Sequence, residues 1–387
     1  MLNQSKILFV HDGPLLQNNV DNAFYGVHYT NALVDRYLYL GAEITFLMRV
    51  KKISPELGKT FSLLDHPKLN VVEVPDFKSL QSLWKKKSAE VIIEQAVQTS
   101  DMIILRMPSA NAVLAHRFAL QYGKPFIIEV VACVFDALWN YDWRGKILAY
   151  PKYWSYRKLI KNAPYVIYVT ELFLQSRYPT SGHSLGCSDV MLQPIDKRKL
   201  LKRLEKFENR INQKIILITV AAIDVPYKGQ ADVIEVLSRL DQHKFEYWIV
   251  GQGSPKRLQL IIDQKKLHNI KIVGSVKHDE IFRLLEKADL YVQPSRQEGL
   301  PRAVIEAMSV GMPVIGTNIA GIPELLPKDC VYEPHNLNDL LRLITNFNDE
   351  QGAAWALINF EKSKEFQQSE LDLKRNQFYS FFLNENR

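Results

Sequence analysis

The chain has 387 residues, which is too many for one ordinary hydrophobic core, so two domains are expected. With 47% hydrophobic and 24% charged residues it is not a disordered protein. No apolar run approaches the ~18–20 residues of a membrane span. The net charge of +7 favours an anionic partner such as nucleotide phosphates, acidic lipid headgroups or nucleic acid.

The first residues contain a short apolar run, Ile7 to Val10, which predicts a β-strand and is too short for the core of a signal peptide. Three cysteines, Cys133, Cys187 and Cys330, show no paired spacing. An odd number of scattered cysteines argues against a disulfide framework or a zinc site. We therefore expect a cytoplasmic protein with reduced thiols.

The first half of the chain alternates predicted strands with predicted helices. After the strand Ile7–Val10 we expect a loop rich in Gly, Pro and Asn over residues 11–22, and then a helix over Tyr25–Leu40. Further strands are predicted at Glu43–Met48, Asn70–Val74, Met102–Leu105, Phe126–Val131 and Tyr165–Val169. This alternation predicts a parallel sheet.

The pattern restarts after a charged helical stretch, Lys197 to Lys214. Strands are predicted at Ile215–Val220, Tyr247–Val250, Ile270–Val273, Leu290–Gln293 and Pro313–Gly316, with helices at Gln230–Leu240 and Asp279–Lys287. The fold class is therefore α/β, with two doubly wound Rossmann-like domains at residues 1–205 and 206–365. A C-terminal helix with an apolar face, residues 366–387, is expected to pack back on the first domain.

Glu298 and Glu306 lie eight positions apart around the predicted start of a helix. Pro301 suits the first helical turn, and Gly311 suits a C-cap. Gly299 allows the backbone to approach a ligand closely, and free N–H groups at a helix start suit a diphosphate. Glu306 lies five residues into the helix, roughly 7.5 Å along the axis from the helix start at Pro301. That distance is about the span from a diphosphate to a ribose. This spacing predicts a nucleotide-sugar site; the alternative is a buried ion pair for Glu306 and a solvated loop acid for Glu298.

Two residues that follow predicted strands extend this hypothesis. Lys228 follows the strand Ile215–Val220, and ligands of open parallel sheets bind beyond the carboxyl ends of the strands. A lysine there stabilises charge on a departing phosphate. Gly13 holds the matching position in the first domain, where a glycine permits close approach of a phosphate. The alternatives are a solvated loop lysine and an ordinary turn glycine.

The sequence contains no Asp-x-Asp pair, the usual clamp for a metal-bound diphosphate. We therefore expect the phosphates to be neutralised by lysine, backbone N–H groups and helix dipoles, with no metal and no cofactor. Gly58-Lys59-Thr60 resembles the end of a P-loop, but Ile53 replaces its first glycine. The segment from Gly182 to Gly186 matches Gly-x-Ser-x-Gly, but its flanks predict a loop, which disfavours serine hydrolysis.

Residues 139–161 interleave aromatic and basic side chains, including Trp143, Trp154, Lys152 and Lys158. This composition suits a membrane interface with anionic headgroups. A half-buried helix, with its aromatic residues in the core and its lysines in water, explains it equally well. Nucleic acid is a third option that fits poorly beside a nucleotide-sugar site.

The second domain carries a series of short motifs in a fixed order. They are Val273-Gly274-Ser275, Ala288-Asp289-Leu290, Pro294-Ser295, Glu298-Gly299-Leu300-Pro301, Glu306-Ala307-Met308, the run from Gly311 to Thr317 and the run from Gly321 to Leu325. On these motifs the chain resembles glycosyltransferase family 4, the retaining GT-B glycosyltransferases. The resemblance implies two Rossmann-like domains that face a central cleft, with the acceptor bound by the first domain and the donor by the second.

The resemblance also implies a role for each matching residue. Glu298 would hold the donor sugar and Glu306 the ribose, while Lys228 would hold the diphosphate. Backbone groups from Gly299 through Leu300 to Pro301 would hold sugar and phosphate. The loop at Gly274 would hold the base.

The first domain looks closest to bacterial capsule and surface-polysaccharide glycosyltransferases. The similar segments are Arg36-Tyr37-Leu38, Asp136-Ala137-Leu138-Trp139, Tyr168-Val169-Thr170 and Arg177-Tyr178-Pro179. Two departures stand out. Ala221-Ala222-Ile223 replaces a stretch that often carries arginine. Ala132-Cys133 replaces an acceptor-side histidine or acid, for which Glu129 and Asp136 are the substitutes that we predict.

Taken together, these features predict a metal-independent retaining transferase of bacterial surface-polysaccharide biosynthesis. It would move a sugar from a nucleoside diphosphate to a hydroxyl of a glycan acceptor, lipid-linked at the inner face of the cell membrane. One alternative is a soluble transferase that acts on a small-molecule acceptor. A second is a non-catalytic module that binds a nucleotide-sugar. Nucleic acid is not expected as a partner.

Overall fold

The computed structural model describes residues 4–26, 29–58, 61–77, 80–192, 194–211 and 213–386. Within these residues the first domain contains a mixed sheet flanked by helices. Its strands are β1 (Lys6–Asn18), β2 (Phe24–Gly26), β3 (Glu43–Ile53), β4 (Ser62–Leu64), β5 (Leu69–Glu73), β6 (Met102–Met107), β7 (Phe126–Val130), β8 (Tyr165–Tyr168) and β9 (His183–Gly186). Its helices are α1 (Asn31–Tyr37), α2 (Pro55–Gly58), α3 (Lys86–Gln98), α4 (Ala110–Gln121), α5 (Val134–Trp139), α6 (Trp143–Lys161) and α7 (Phe173–Arg177).

The second domain contains a parallel sheet that follows helix α8 (Lys197–Glu208). Its strands are β10 (Ile215–Val220), β11 (Phe245–Val250), β12 (Ile270–Gly274), β13 (Leu290–Gln293), β14 (Val314–Thr317) and β15 (Val331–Tyr332). The remaining helices are α9 (Gln230–Leu237), α10 (Lys256–Gln264), α11 (His278–Lys287), α12 (Arg302–Ser309), α13 (Ile322–Leu325), α14 (Leu337–Asn346), α15 (Asp349–Ser363) and α16 (Gln368–Glu385).

Both sheets are doubly wound. The parallel strands of the first domain run in the order β5-β3-β1-β6-β7-β8-β9, and those of the second run β12-β11-β10-β13-β14-β15. In each sheet the strand order reverses direction at the central pair, β1 with β6 and β10 with β13. Ligands of open α/β sheets bind at such a switch point, beyond the carboxyl ends of the strands.

The start of the first domain differs from the prediction. The expected loop over residues 11–22 continues β1 as far as Asn18, with an irregularity between Val10 and Pro14. Leu15 is fully buried, and this part of β1 pairs with β3 on one side and β2 on the other. Glycine and proline favour loops, but a bulge accommodates both within a strand.

Two more predicted elements change. The helix expected over Tyr25–Leu40 begins at Asn31, because Thr30 caps it and Phe24–Gly26 forms β2; residues 27 and 28 lie outside the described residues. The loop expected at Gly182–Gly186 is the edge strand β9, paired with β8. Lys59 and Thr60 of the P-loop-like run also lie outside the described residues.

The second domain follows the sequence pattern closely. Strands β10 and β13 have the predicted bounds, since strands that are buried on both faces appear as continuous apolar runs. Helix α8 packs on this domain, because the buried Arg203 donates to the carbonyl of Leu285 at 2.6 Å. The predicted domain boundary at residue 205 therefore falls inside a helix that belongs to the second domain.

The C-terminal helix α16 crosses to the first domain. The Phe382 ring lies 5.0 Å from that of Tyr165, and Arg375 donates to the carbonyl of Ser188 at 2.8 Å. Within the described residues no helix is both long and apolar enough to cross a membrane.

Candidate active site

The loop after β13 leads directly into helix α12 at the switch point of the second sheet. Pro301 holds the position before the first helical residue, Arg302, and its carbonyl accepts from the N–H of Val304 at 3.1 Å. Gly311 ends the helix in the left-handed region, with φ of +65°. The predicted pairing of a proline at the helix start with a glycine at its end is therefore present, with Pro301 at the N-cap.

Lys228 and Glu298 contact each other at this switch point. The Lys228 Nζ lies 2.7 Å from the Glu298 carboxylate, which also accepts from the Gln293 amide at 2.8 Å. Their side chains are 20% and 10% exposed. Glu298 is therefore a largely buried acid with two specific donors, and the solvated alternative is wrong for both residues.

Two neighbouring loops are locked together around this pair. Gly229 has φ of +74°, and a Cβ atom there would lie 1.9 Å from the Pro294 carbonyl oxygen. The Arg296 N–H donates to the Tyr227 carbonyl at 2.7 Å, and its guanidinium binds Asp232 at 2.8 Å. Because these contacts hold both loops, the Lys228–Glu298 pair is preorganised.

Glu306 lies on the buried side of α12 with few partners. Its side chain is 13% exposed, and the His278 Nε2 lies 4.0 Å from its carboxylate. Burial raises the pKa of Glu306, an effect that His278 and Arg302 oppose. Among the described residues no hydrogen bond to this carboxylate is present, and the partner available for the alternative of a buried ion pair is the half-exposed His278, at 4.0 Å. A carboxylate with unused acceptor capacity suits a ligand with adjacent hydroxyls.

Two other predicted donor-site residues are the glycines Gly274 and Gly13. Gly274 ends β12 with φ of +82°, and nothing lies within 4 Å of its missing Cβ atom, so space is open there. Gly13 lies within β1, where a Cβ atom would meet the Tyr29 hydroxyl at 2.8 Å. That close approach explains the glycine by packing, and its role toward a phosphate stays a prediction.

Gly299 and Leu300 lie at the junction of the two domains. A Cβ atom on Gly299 would lie 2.2 Å from the Val131 carbonyl oxygen of the first domain. Leu300 packs against the apolar core of that domain. The Glu324 carboxylate on α13 accepts from the N–H groups of Glu171 and Phe173 at 2.6 and 2.7 Å. The donor-side loop therefore closes directly against the first domain.

Glu129 and Asp136 both lie at the carboxyl end of β7 or just beyond it. Glu129 is buried, accepting from Arg106 at 3.0 Å and from the Tyr37 hydroxyl at 2.8 Å. Asp136 lies on α5, where burial raises its pKa. No hydrogen bond or ion pair among the described residues joins either carboxylate to Glu298 or Lys228. Their catalytic roles stay predictions.

Sequence reasoning missed several residues of this region. Gln293 binds Glu298, Glu324 bridges the domains, and Arg302 lies close enough to the first domain to act on Asp189. Burial alone raises the pKa of Asp189, but Arg302 and Arg106 outweigh it and hold that pKa well below its usual range. The position of Gln293 at the end of a buried strand could have indicated a residue of the site. No local sequence pattern indicates the contacts between the two domains.

Helix α6 exposes most of the aromatic and basic segment. Gly145, Ala149, Tyr156 and Ile160 are its buried residues, while Trp143 and Trp154 are 67% and 62% exposed. We call its exposed residues the aromatic-basic face: Trp143, Arg144, Lys146, Tyr150, Lys152, Trp154, Lys158 and Lys161. The alternative that these aromatic rings form the core is therefore wrong for this face.

Two doubly wound domains that meet across a cleft, with the candidate site at the switch point of the second, define the GT-B fold. Solved structures agree: HepE of Anabaena in complex with UDP-glucose is similar to this chain with a TM-score of 0.67, covering 99% of this chain and 100% of that one at 17% identity. The model of the family described as glycosyl transferases group 1 matches residues 202–378, which span most of the second domain.

Similarity to known sequences extends over both domains. Protein CapJ of Staphylococcus aureus is 29% identical over 348 residues, which is 88% of this chain and 85% of CapJ. The amylovoran biosynthesis glycosyltransferase AmsK of Erwinia amylovora is 35% identical over 131 residues, 31% of this chain and 32% of AmsK. The chain is therefore similar to glycosyltransferases, and one of these relatives is named for the biosynthesis of amylovoran.

Proposed function

We propose that this protein is a glycosyltransferase that moves a sugar from a nucleoside diphosphate to a hydroxyl of a glycan acceptor, with retention of the anomeric configuration, in bacterial surface-polysaccharide biosynthesis. The observation that carries the proposal is the buried Glu298, held by Lys228 at 2.7 Å and Gln293 at 2.8 Å directly before helix α12, which carries Glu306. HepE, a structural neighbour, is solved with UDP-glucose, which supports this donor class.

In this proposal the diphosphate, the sugar, the ribose and the base of the donor each bind a different part of the site. Lys228 turns from Glu298 toward the diphosphate, and the free N–H groups at the start of α12 add to its neutralisation. Glu298 then accepts from sugar hydroxyls, and Glu306 accepts from the ribose diol. The open space at Gly274 receives the base.

The reaction then depends on leaving-group stabilisation. The bond between the anomeric carbon and the diphosphate oxygen breaks, a bond to the acceptor oxygen forms on the same face, and the acceptor hydroxyl passes its proton to an oxygen of the departing diphosphate. A lysine at the departing diphosphate stabilises the charge that develops there. Contact of Gly299 and Leu300 with the first domain excludes water that would hydrolyse the donor.

The direct test is a melting-temperature screen of the full chain against a panel of nucleotide-sugars, followed by transfer assays with the stabilising donor. A ligand at about 100 times its dissociation constant adds about 2.7 kcal/mol of stability. Stabilisation without transfer to any glycan would favour the non-catalytic module. Absence of stabilisation by every nucleotide-sugar would contradict the donor assignment.

Metal independence is the first expected property. The sequence lacks Asp-x-Asp, and Lys228 supplies positive charge at the proposed diphosphate position. We expect full transfer activity in excess EDTA. Loss of activity in EDTA that Mg²⁺ or Mn²⁺ restores would contradict this mechanism.

The aromatic-basic face supports a lipid-linked acceptor at an anionic membrane surface. Helix α6 follows α5, which begins just after the carboxyl end of β7. Basic residues near an anionic surface contribute about 1 kcal/mol each, and exposed aromatic rings add a part that salt does not screen.

We expect the protein to sediment with anionic liposomes, more weakly with neutral ones, and to be partly released by high salt. The test variant replaces four exposed lysines of the face by Gln: Lys146, Lys152, Lys158 and Lys161. Arg157 is left in place, because it donates to the Tyr153 hydroxyl and to carbonyls of α7. Sedimentation should fall while the melting temperature stays close to that of the wild type.

The matched control removes the same charge from exposed positions of the second domain: Lys244, Lys256, Lys287 and Lys328, each replaced by Gln. An equal loss of sedimentation in both variants would mean that net charge alone drives binding to anionic liposomes. Wild-type protein that ignores anionic liposomes would contradict membrane attachment and favour the soluble transferase with a small acceptor.

A further inference from the structure

A small cavity lies at the carboxyl end of the first sheet, beside the junction with the donor-side loop. Its charged lining residues are Arg36, Arg106, Glu129, Asp189 and Arg375. Val131 also lines it, and the carbonyl oxygen of Val131 is the atom against which Gly299 packs. The cavity therefore lies on the acceptor side of the proposed transfer site. It has room for about one water-sized group, such as one oxygen of a larger ligand.

Two of the three arginines in this cavity are fully engaged. Arg106 binds Glu129 at 3.0 Å and also pairs with Asp189. Arg375 binds Asp372 at 3.1 Å and donates to the Ser188 carbonyl at 2.8 Å.

Arg36 is the exception. It is 8% exposed, and its Nε and Nη2 atoms are buried without a hydrogen-bond partner among the described residues. It also forms no ion pair with a described residue, although Asp189 lies near enough to feel its charge. A buried guanidinium whose N–H groups lack acceptors is costly.

The identity of the two unpaired atoms indicates a ligand class. The N–H bonds of Nε and Nη2 point in parallel from one edge of the guanidinium, so an oxygen of a carboxylate or a phosphate that enters the cavity can accept from this edge. Neither Glu129 nor Asp189 accepts a hydrogen bond from this edge, and both bind Arg106 instead.

We propose that Arg36 binds an anionic group of the acceptor, a carboxylate or a phosphate, at the floor of the cleft. This inference rests on the proposed function, because it assumes that the acceptor enters beside the donor-side loop. It narrows the acceptor to glycans that carry an acidic sugar or a phosphate.

The probes are inorganic phosphate, methyl glucuronide and the uncharged methyl glucoside, each measured with the full chain by melting temperature and calorimetry in sodium chloride of matched ionic strength. We expect one anion to bind and the glucoside not to bind. Binding of phosphate alone identifies a phosphate-bearing acceptor, and binding of glucuronide alone identifies an acidic sugar. Binding of neither anion would overturn the proposal.

Arg36→Met tests the residue itself. It removes an unpaired buried charge, so we expect its melting temperature to equal or exceed that of the wild type, while the dissociation constant for the anion rises at least about tenfold. Arg36→Lys keeps the charge without the two-pronged edge and should also bind the anion weakly. Wild-type anion binding in both variants would overturn the proposal.

Arg375→Met is the matched control, because it breaks hydrogen bonds that the structure contains and should lower the melting temperature. If Arg36→Met lowers the melting temperature as much as this control does, Arg36 is a structural residue and the proposal is wrong. Nucleotide-sugar binding, measured on the same Arg36 variants, separates this outcome from failure of the donor site. A variant that binds nucleotide-sugar normally but no anion would leave the proposed function intact.

Discussion

Glu298→Gln should abolish most transfer while it leaves nucleotide binding nearly intact, and Glu306→Gln should weaken nucleotide binding itself. Glu298 lies between Lys228 and Gln293, where we propose that the donor sugar binds, whereas Glu306 lies further along α12 at the proposed ribose position. Loss of one hydrogen-bonded buried partner costs about 1–3 kcal/mol, or about 5–150-fold in a rate or binding constant.

The two variants should also differ from each other in stability. Burial raises the pKa of Glu306, so the folded state holds its proton more tightly than the unfolded chain does. The stability linked to that proton is present below the ordinary glutamate pKa and is lost as pH rises through the raised value. Glu306→Gln removes a buried charge at neutral pH and should therefore raise the melting temperature. Glu298→Gln leaves Lys228 without its carboxylate partner and should therefore lower the melting temperature.

Calorimetry with the nucleoside diphosphate and transfer kinetics with the full donor separate the two roles. Glu208→Gln, at an exposed position on α8, is the control for loss of one carboxylate. Wild-type transfer kinetics in both test variants would mean that the donor site lies elsewhere. A rise in the melting temperature of Glu298→Gln would contradict the ion pair with Lys228.

The second domain was predictable because its signals are local. Strands β10 and β13 are continuous apolar runs, and Pro301 and Gly311 mark the ends of α12 by their own backbone preferences. The spacing of Glu298 and Glu306 follows from the rise of a helix. The sequence pattern did not predict the contact of Lys228 with Glu298, because that contact depends on how two loops that follow different strands pack together.

The first domain was less predictable because its determinants are distant in sequence. The strand β1 continues through Gly13 and Pro14 since β3 and β2 pair with it, and no local signal announces either partner. The network of Arg106 with Glu129 and Asp189 joins residues up to 83 positions apart. Isolated charged residues near strand ends gave no reason to place them together.

The contact of Gly299 with the first domain leads to the second large effect that we expect. A Cβ atom at this position would lie 2.2 Å from the Val131 carbonyl oxygen, and the two next nearest atoms also belong to the first domain. Apart from its chain neighbours, no atom of the second domain lies within 3.6 Å of that Cβ atom. Gly299→Ala therefore clashes only when the two domains are closed against each other. Glu324→Gln weakens the same junction independently, because it removes the charge that accepts from the N–H groups of Glu171 and Phe173.

Both variants should open the cleft and slow transfer, because a misplacement of about 1 Å between reacting groups costs about 100-fold in rate. We expect a larger radius of gyration by small-angle scattering, with transfer reduced about 10- to 100-fold and nucleoside diphosphate affinity retained. Gly123→Ala is the control, because it strains a residue with φ of +60° that has open space around it, within the first domain. It should lower the melting temperature slightly and leave scattering and transfer unchanged. Unchanged scattering and transfer in Gly299→Ala would mean that the reaction does not require the contact with Val131, and that water is excluded from the donor in another way.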